Sequence, residues 1–124
     1  MIILNSINNF YINKIINTYK ENEKLIDLHA HTTYSDGELT PSELIRSAIE
    51  KNIGVLAITD HDTINGIKQI NKNDSFIVDS GIKIINGIEL SAKVPKGRMH
   101  ILGYGIDINN KKLNDESECN FYFE

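Results

Sequence analysis

The chain has 124 residues, a formal net charge of −4, 40% apolar residues and 24% charged residues. That is one domain's worth of chain, long enough to bury a core of its own, with an ordinary globular composition. The acidic balance argues against a general nucleic-acid-binding surface, so a phosphate-bearing substrate would need local positive charge, most simply from bound metal.

A single cysteine, Cys119, excludes an internal disulfide and fits a reducing compartment. No apolar run approaches the roughly 18 residues of a membrane span. The start Met1-Ile2-Ile3-Leu4 is short, is broken by Asn5, Asn8 and Asn9, and lacks a basic leader. The expectation is a cytoplasmic protein with no membrane partner.

Residues 1–24 read as a helical extension. Leu4, Ile7, Tyr11, Ile15 and Tyr19 recur at spacings of three and four, with Ser6 as an N-cap and asparagines on the other side. The expectation is an amphipathic helix packed on the outside of the domain, with a partner-binding or membrane-surface helix as the alternative. Glu21 to Lys24 form the connecting turn.

From residue 25 the rhythm becomes strand, loop, helix. Leu25 to His29 is a short strand, and a polar loop runs to Leu39. Thr40-Pro41-Ser42-Glu43 is a capping box with proline at the first helical position. Leu44, Ile45, Ala48 and Ile49 form the buried face of that helix, which ends near Asn52. Gly54 to Thr59 is a continuous apolar strand, as in a parallel sheet covered on both faces. A helix from about Thr63 to Ile70 follows, and a helical turn or two is expected between Lys72 and Ser80. Ile82 to Ile85 is a third strand, Gly87 leads into Ile88 to Ser91, Val94 to Gly97 turns, and Met99 to Ile106 is a fourth strand. This alternation argues for about four parallel strands with crossover helices, too few for a closed (β/α) barrel.

All four histidines sit at or near strand ends. His29 and His31 are two apart, so on an extended backbone both imidazoles share a face, with Asp27 aimed the same way. Asp36 lies past a loop that can fold it back, with Gly37 relieving the turn. His61, in Thr59-Asp60-His61-Asp62, falls just beyond the second strand, where α/β barrels collect functional groups. Glu89 follows the third strand. His100 lies early in the fourth strand and needs a bend or twist to join them. Imidazole mixed with carboxylate suits divalent transition metals. Each residue alone has a plainer reading: a helix cap for Asp60 and Asp62, a solvated loop residue for Glu89, a core histidine for His100. The metal site rests on their sum. Lys96 and Arg98 lie beside His100 and could meet a substrate phosphate or simply line a solvated turn.

The run Asp27-Leu28-His29-Ala30-His31-Thr32-Thr33-Tyr34-Ser35-Asp36-Gly37 resembles the first motif of the polymerase and histidinol phosphatase (PHP) superfamily. Thr59-Asp60-His61-Asp62-Thr63 resembles the second, Gly87-Ile88-Glu89-Leu90-Ser91 the third, and His100-Ile101-Leu102-Gly103-Tyr104 the segment after it. The wording is most similar to stand-alone nucleoside 3′,5′-bisphosphate phosphatases and 5′-to-3′ exoribonucleases. The resemblance implies the N-terminal part of an irregular (β/α)7 barrel over residues 25–108. It implies that His29, His31, Asp36, His61, Glu89 and His100 ligate two or three divalent ions (manganese, iron or zinc), with Glu89 bridging. Asp27 matches the family's first-motif aspartate and would orient those ligands; Asp60 and Asp62 are expected in the same supporting role, and Lys96 and Arg98, from their position beside His100, are the candidate substrate-binding residues. The implied activity is hydrolysis of a phosphomonoester or phosphodiester of a nucleotide or short RNA.

The segment 109–124 departs from the pattern, because it has no histidine and no late Asp-x-His pair. The alternative is therefore a truncated, catalytically inactive fragment that binds metal or a partner, including a complementing C-terminal half. A polymerase-attached PHP domain fits the His-Ile-Leu-Gly-Tyr segment less well.

Overall fold

The computed structural model describes residues 11–17, 23–115 and 121–122. In chain order these are helix α1 (11–17), strand β1 (Leu25–Ala30), helix α2 (Pro41–Glu50), strand β2 (Ile53–Ile58), short helices α3 (Asn65–Lys68) and α4 (Ser75–Ser80), strands β3 (Lys83–Lys93) and β4 (Arg98–Tyr104), helix α5 (Lys111–Asn114) and strand β5 (Phe121–Tyr122). The sheet order is β1-β2-β3-β4, with β5 joining β3. Strands β1, β2 and β3 run parallel, each pair separated by helix, and the sheet curls into part of a barrel.

The fourth strand differs from expectation: β4 runs antiparallel to β3, from Lys93↔Arg98 to Gly87↔Tyr104. The cause is connection length. The four residues Val94 to Gly97 can close a hairpin, whereas a parallel return needs a crossover of a dozen residues or more. Gly97, at φ 83°, supplies the left-handed turn residue. The third strand is also longer than expected. The stretches expected as Ile82–Ile85 and Ile88–Ser91 fall largely on one strand, Lys83–Lys93, that runs through Gly87, where a Cβ would meet Thr59 Cγ2 at 2.7 Å and Ile58 O at 2.9 Å.

Helix α2 begins as its sequence dictates. Thr40 Oγ1 accepts from Glu43 N at 3.4 Å, and Thr40 N donates to Glu43 Oε2 at 2.9 Å. Beyond its end Asn52 takes the left-handed conformation at φ 59°. Helix α3 is only four residues, shorter than its pattern suggests, and α4 forms the expected turns before Gly81.

Strand alternation divides the core into two faces. Leu56, Ile58, Ile88, Leu90 and Ile101 pack with Ile45, Ala48, Ile64, Ile67 and Ile77 of the helical side. Val55, Ala57, Ile85 and Tyr104 point the other way, onto the inner face of the curl. Helix α1 covers that inner face. Ile12 is buried there with Val55, Ala57, Ile85 and Tyr104, and Ile15 and Ile16 pack alongside. Residues 11–17 thus pack on the sheet as an amphipathic helix, on the face opposite α2. The buried stripe is also rotated: Ile12, Ile15 and Ile16 face inward while Tyr11 is 69% exposed. Leu4, Ile7 and Tyr19, and the proposed cap Ser6, lie outside the described residues. No helix among the described residues is long and apolar enough to cross a membrane.

Candidate metal centre

The inner face carries the titratable residues at the end of the sheet where β1 and β2 finish. Glu89 is the hub. It shares its face with Ile85 on β3, and on β4 His100 shares the inner face with Leu102 and Tyr104. The residue is buried, at 6% exposure, and both oxygens are surrounded. Oε2 lies 2.8 Å from His29 Nε2, 3.1 Å from His31 Nε2 and 3.7 Å from His61 Nδ1, while Oε1 lies 2.9 Å from His100 Nδ1. Asp36, with a 65% exposed side chain, forms the rim: Oδ1 is 3.4 Å from His31 Nδ1 and Oδ2 is 3.3 Å from His61 Nε2. The rings of His31 and His61 stack with centroids 4.5 Å apart.

Burial pushes the Glu89 carboxyl upward, but the bonds from His29 and His100, with the charges of His29 and His61, outweigh it and hold the group below its usual range. Glu89 is thus held as an anion among four imidazoles drawn from three segments of chain, the end of β1, the loop after β2, and β4.

Three overlapping groups of donor atoms result: His29, His31 and Glu89; His31, Asp36 and His61; and His61, Glu89 and His100. Within each group the atoms lie within 4.8 Å of one another. This donor set fits a divalent transition ion, because it combines neutral-imidazole nitrogens with carboxylate oxygens. His31, His61 and Glu89 each belong to two groups, which suits adjacent ions sharing ligands. All six residues expected as ligands are therefore brought together.

The supporting aspartates occupy distinct places. Asp60, 2% exposed, accepts from Thr32 N at 2.7 Å, Thr32 Oγ1 at 2.7 Å and Ser35 Oγ at 2.6 Å. These bonds pin the loop between His31 and Asp36. Gly66 makes room for them, since a Cβ there would sit 2.5 Å from Asp60 Oδ2. Gly37 closes the same loop: Gly37 N donates to Thr32 O at 2.9 Å, and a Cβ would meet His31 O at 2.3 Å. Asp62, at φ 54°, donates its N–H to Glu89 O at 3.0 Å and accepts from Ser91 N at 2.7 Å. With Glu89 N donating to Asp60 O at 3.0 Å, this strap lays His61 beside Glu89 as an extra bridge of the sheet.

Asp27 stands apart from all three donor groups, and its Oδ1 accepts from His29 N at 3.1 Å. Burial, with Asp27 and Glu89 nearby, pushes the Tyr104 phenol up, and Tyr104 Oη donates to Leu28 O at 2.8 Å across the inner face. Lys96 and Arg98 are exposed on the β3–β4 hairpin. Arg98 shares the face of His100, two residues away, whereas Lys96 lies in the turn. Two supporting residues, Thr32 and Ser35, had no role assigned from the sequence. Both are small polar residues with no periodic signal.

A family model for the PHP domain matches residues 27–117. The chain belongs to the PHP-domain family. It is 42% identical over 93 residues to the 5′-3′ exoribonuclease Rnm of Salmonella typhimurium, covering 73% of this chain and 31% of that protein. It is 40% identical over 82 residues to the 3′,5′-nucleoside bisphosphate phosphatase of Chromobacterium violaceum, covering 66% and 28%. Among solved structures, a Chromobacterium violaceum amidohydrolase with bound sulfate superposes with a TM-score of 0.62 at 38% identity, over 72% of this chain and 30% of that one. The chain thus spans less than a third of the length of these relatives.

Proposed function

We propose that this PHP domain is a metal-dependent phosphoesterase acting on a phosphomonoester or phosphodiester of a nucleotide or short RNA. The observation that carries the reading is Glu89, whose two buried oxygens gather His29, His31, His61 and His100, with Asp36 at the rim. The relatives named an exoribonuclease and a nucleoside bisphosphate phosphatase support the substrate class.

Two or three divalent ions would be held by His29, His31, Asp36, His61, Glu89 and His100, and such ions supply Lewis acidity toward phosphate oxygens and toward a water near neutral pH. The chain's own contributions are positional. Asp60 holds the loop that carries His31 and Asp36, and Asp62 and the backbone at Glu89 hold His61 in register. Asp27 accepts from the His29 N–H and fixes the backbone at that ligand. Arg98, and Lys96 in the turn, offer cations to the substrate on the His100 side. Glu89 stays anionic, so the rings around it are drawn to one point rather than to solvent.

The test pairs activity with metal content. The manganese-supplemented chain should release phosphate or mononucleotide from nucleotides and 5′-phosphorylated short RNA, and His31→Ala should abolish release. Because His31 belongs to two donor groups, His31→Ala should also lower the manganese bound per folded chain. A folded, metal-loaded wild-type chain that hydrolyses none of these substrates would refute the reading.

A second reading is favoured by one observation. Among the described residues β1 pairs only with β2, and β4 only with β3, so each carries an open edge. A metal-binding module that becomes active only with complementing barrel strands would fit those edges. It predicts metal binding without turnover, and turnover restored by the C-terminal part of a relative supplied as a separate chain.

A further inference from the structure

The β3–β4 hairpin extends past the metal centre as an arm. Antiparallel register pairs Ser91 with His100 and Lys93 with Arg98, and residues directly opposite share a face. Ser91 and Lys93 follow Glu89 at steps of two along β3, and Arg98 precedes His100 by two along β4, so all lie on the face of the donor cluster. One face thus reads, outward from the centre, Glu89 opposite Leu102, then Ser91 opposite His100, then Lys93 opposite Arg98. A groove of about 350 Å³ runs along the arm, bordered by Ser91, Lys93, Arg98 and His100 among others.

The charge along this arm is one-sided. From Leu90 to Ile106 the sequence has Lys93, Lys96 and Arg98 and no carboxylate, in a chain whose net charge is −4. An arm that served only to protect a sheet edge would need cations but no particular face. Here a cation pair sits opposite across the ladder, on the side where the metal ligands lie. The step from His100 to Arg98 is about 7 Å along the strand, comparable to the spacing of consecutive phosphates in an extended nucleic-acid strand.

We propose that Lys93 and Arg98 form a second anion subsite, which holds the phosphate one linkage away from the phosphate seated at the Glu89 cluster. The inference rests on the phosphoesterase reading, and it narrows the ligand to molecules with two phosphates in sequence, such as an oligonucleotide end. The guanidinium of Arg98 suits two phosphate oxygens at once, and the ammonium of Lys93 adds a point charge from the facing strand.

The experiment uses the manganese-loaded full chain and two hydrolysis-resistant probes, a dinucleotide with a 5′-thiophosphate and a phosphorothioate linkage, and a nucleoside 5′-thiophosphate. The dinucleotide should bind about ten-fold tighter or better. The double variant Lys93→Gln/Arg98→Gln should erase that advantage, leave the one-phosphate probe within about two-fold, and lower the salt slope of dinucleotide binding by about 0.7, the value for one single-strand phosphate contact. Lys83→Gln, at the far end of β3, removes a cation away from the arm and is the control for position; it should leave the preference intact. Equal losses on both probes, no preference in the wild type, no binding of either probe, or the same loss in Lys83→Gln would each overturn the subsite. Release of phosphate from an unprotected dinucleotide is followed in parallel. Preference without release refutes the phosphoesterase reading and keeps the subsite, whereas release without preference does the reverse.

Discussion

Replacing Asp60 by alanine tests the support of the metal centre separately from its ligands. Asp60 touches no proposed ion, yet its carboxylate takes three hydrogen bonds of 2.6 to 2.7 Å from Thr32 and Ser35 in a site that is 2% exposed. A hydrogen bond to a charged group contributes roughly 1.5–3 kcal/mol, so three would sum to about 5–9 kcal/mol if they were independent. They are not independent, because two come from Thr32 and all hold one loop. A loss of about 4 kcal/mol is expected for Asp60→Ala, since Thr32 N–H is left buried without a partner and Gly66 leaves a small void. Asp60→Asn keeps one acceptor oxygen for Thr32 N and Ser35 Oγ, and Thr32 Oγ1 can turn to accept, so about 1–2 kcal/mol is expected. Urea unfolding at neutral pH, followed by circular dichroism, measures both. A loss under about 1 kcal/mol for the alanine variant, or an asparagine variant as unstable as the alanine one, would refute the claim that this network holds the His31–Asp36 loop.

Gly37→Ala should displace the loop with smaller cost to the fold, because its Cβ would lie 2.3 Å from His31 O; bound manganese per chain, measured on the folded variant, should fall. Ile12→Ala should cost about 2 kcal/mol, at the low end for a buried isoleucine, since α1 is a surface element; unchanged urea midpoints would remove α1 from the inner face. The Glu43 carboxyl is held below its usual range chiefly by the Thr40 hydroxyl and then by the Thr40 N–H. Its folded value is therefore depressed, and the stability it contributes is present above the unfolded value and lost as pH falls through the folded one. Thr40→Ala should flatten that acid limb of the stability–pH curve, and an unaltered limb would show that the capping box does not set it.

The sequence was most legible where chemistry depends on residue type and short spacing. The six candidate ligands, the Thr40 capping box and strands β1 and β2 could all be read from such patterns. It was least legible where long-range register decides. The antiparallel course of β4 follows from the shortness of the Val94–Gly97 turn, which outweighs a run of otherwise parallel strands. The same register moves attention from Lys96, in the turn, to Lys93, which faces Arg98. Glu89 looked like a loop residue after a strand, but it sits within β3, beyond the stretch paired with β2, and that position keeps it buried and central.

Helix α1 marks the limit of periodicity as a guide. An amphipathic stripe says that one face of a helix must be covered, not what covers it. Here the cover is the inner side of a curled sheet, where Val55, Ala57, Ile85 and Tyr104 would otherwise stand exposed. The outer side was already filled by Ile45, Ala48, Ile64 and Ile67 of the helical layer, which left the inner face as the remaining large apolar surface. The same inner face carries Glu89 and His100 further along, so α1 and the metal centre share one side of the sheet. Strands that closed the barrel would join the open edges of β1 and β4 and would bring their own inner-face residues toward α1.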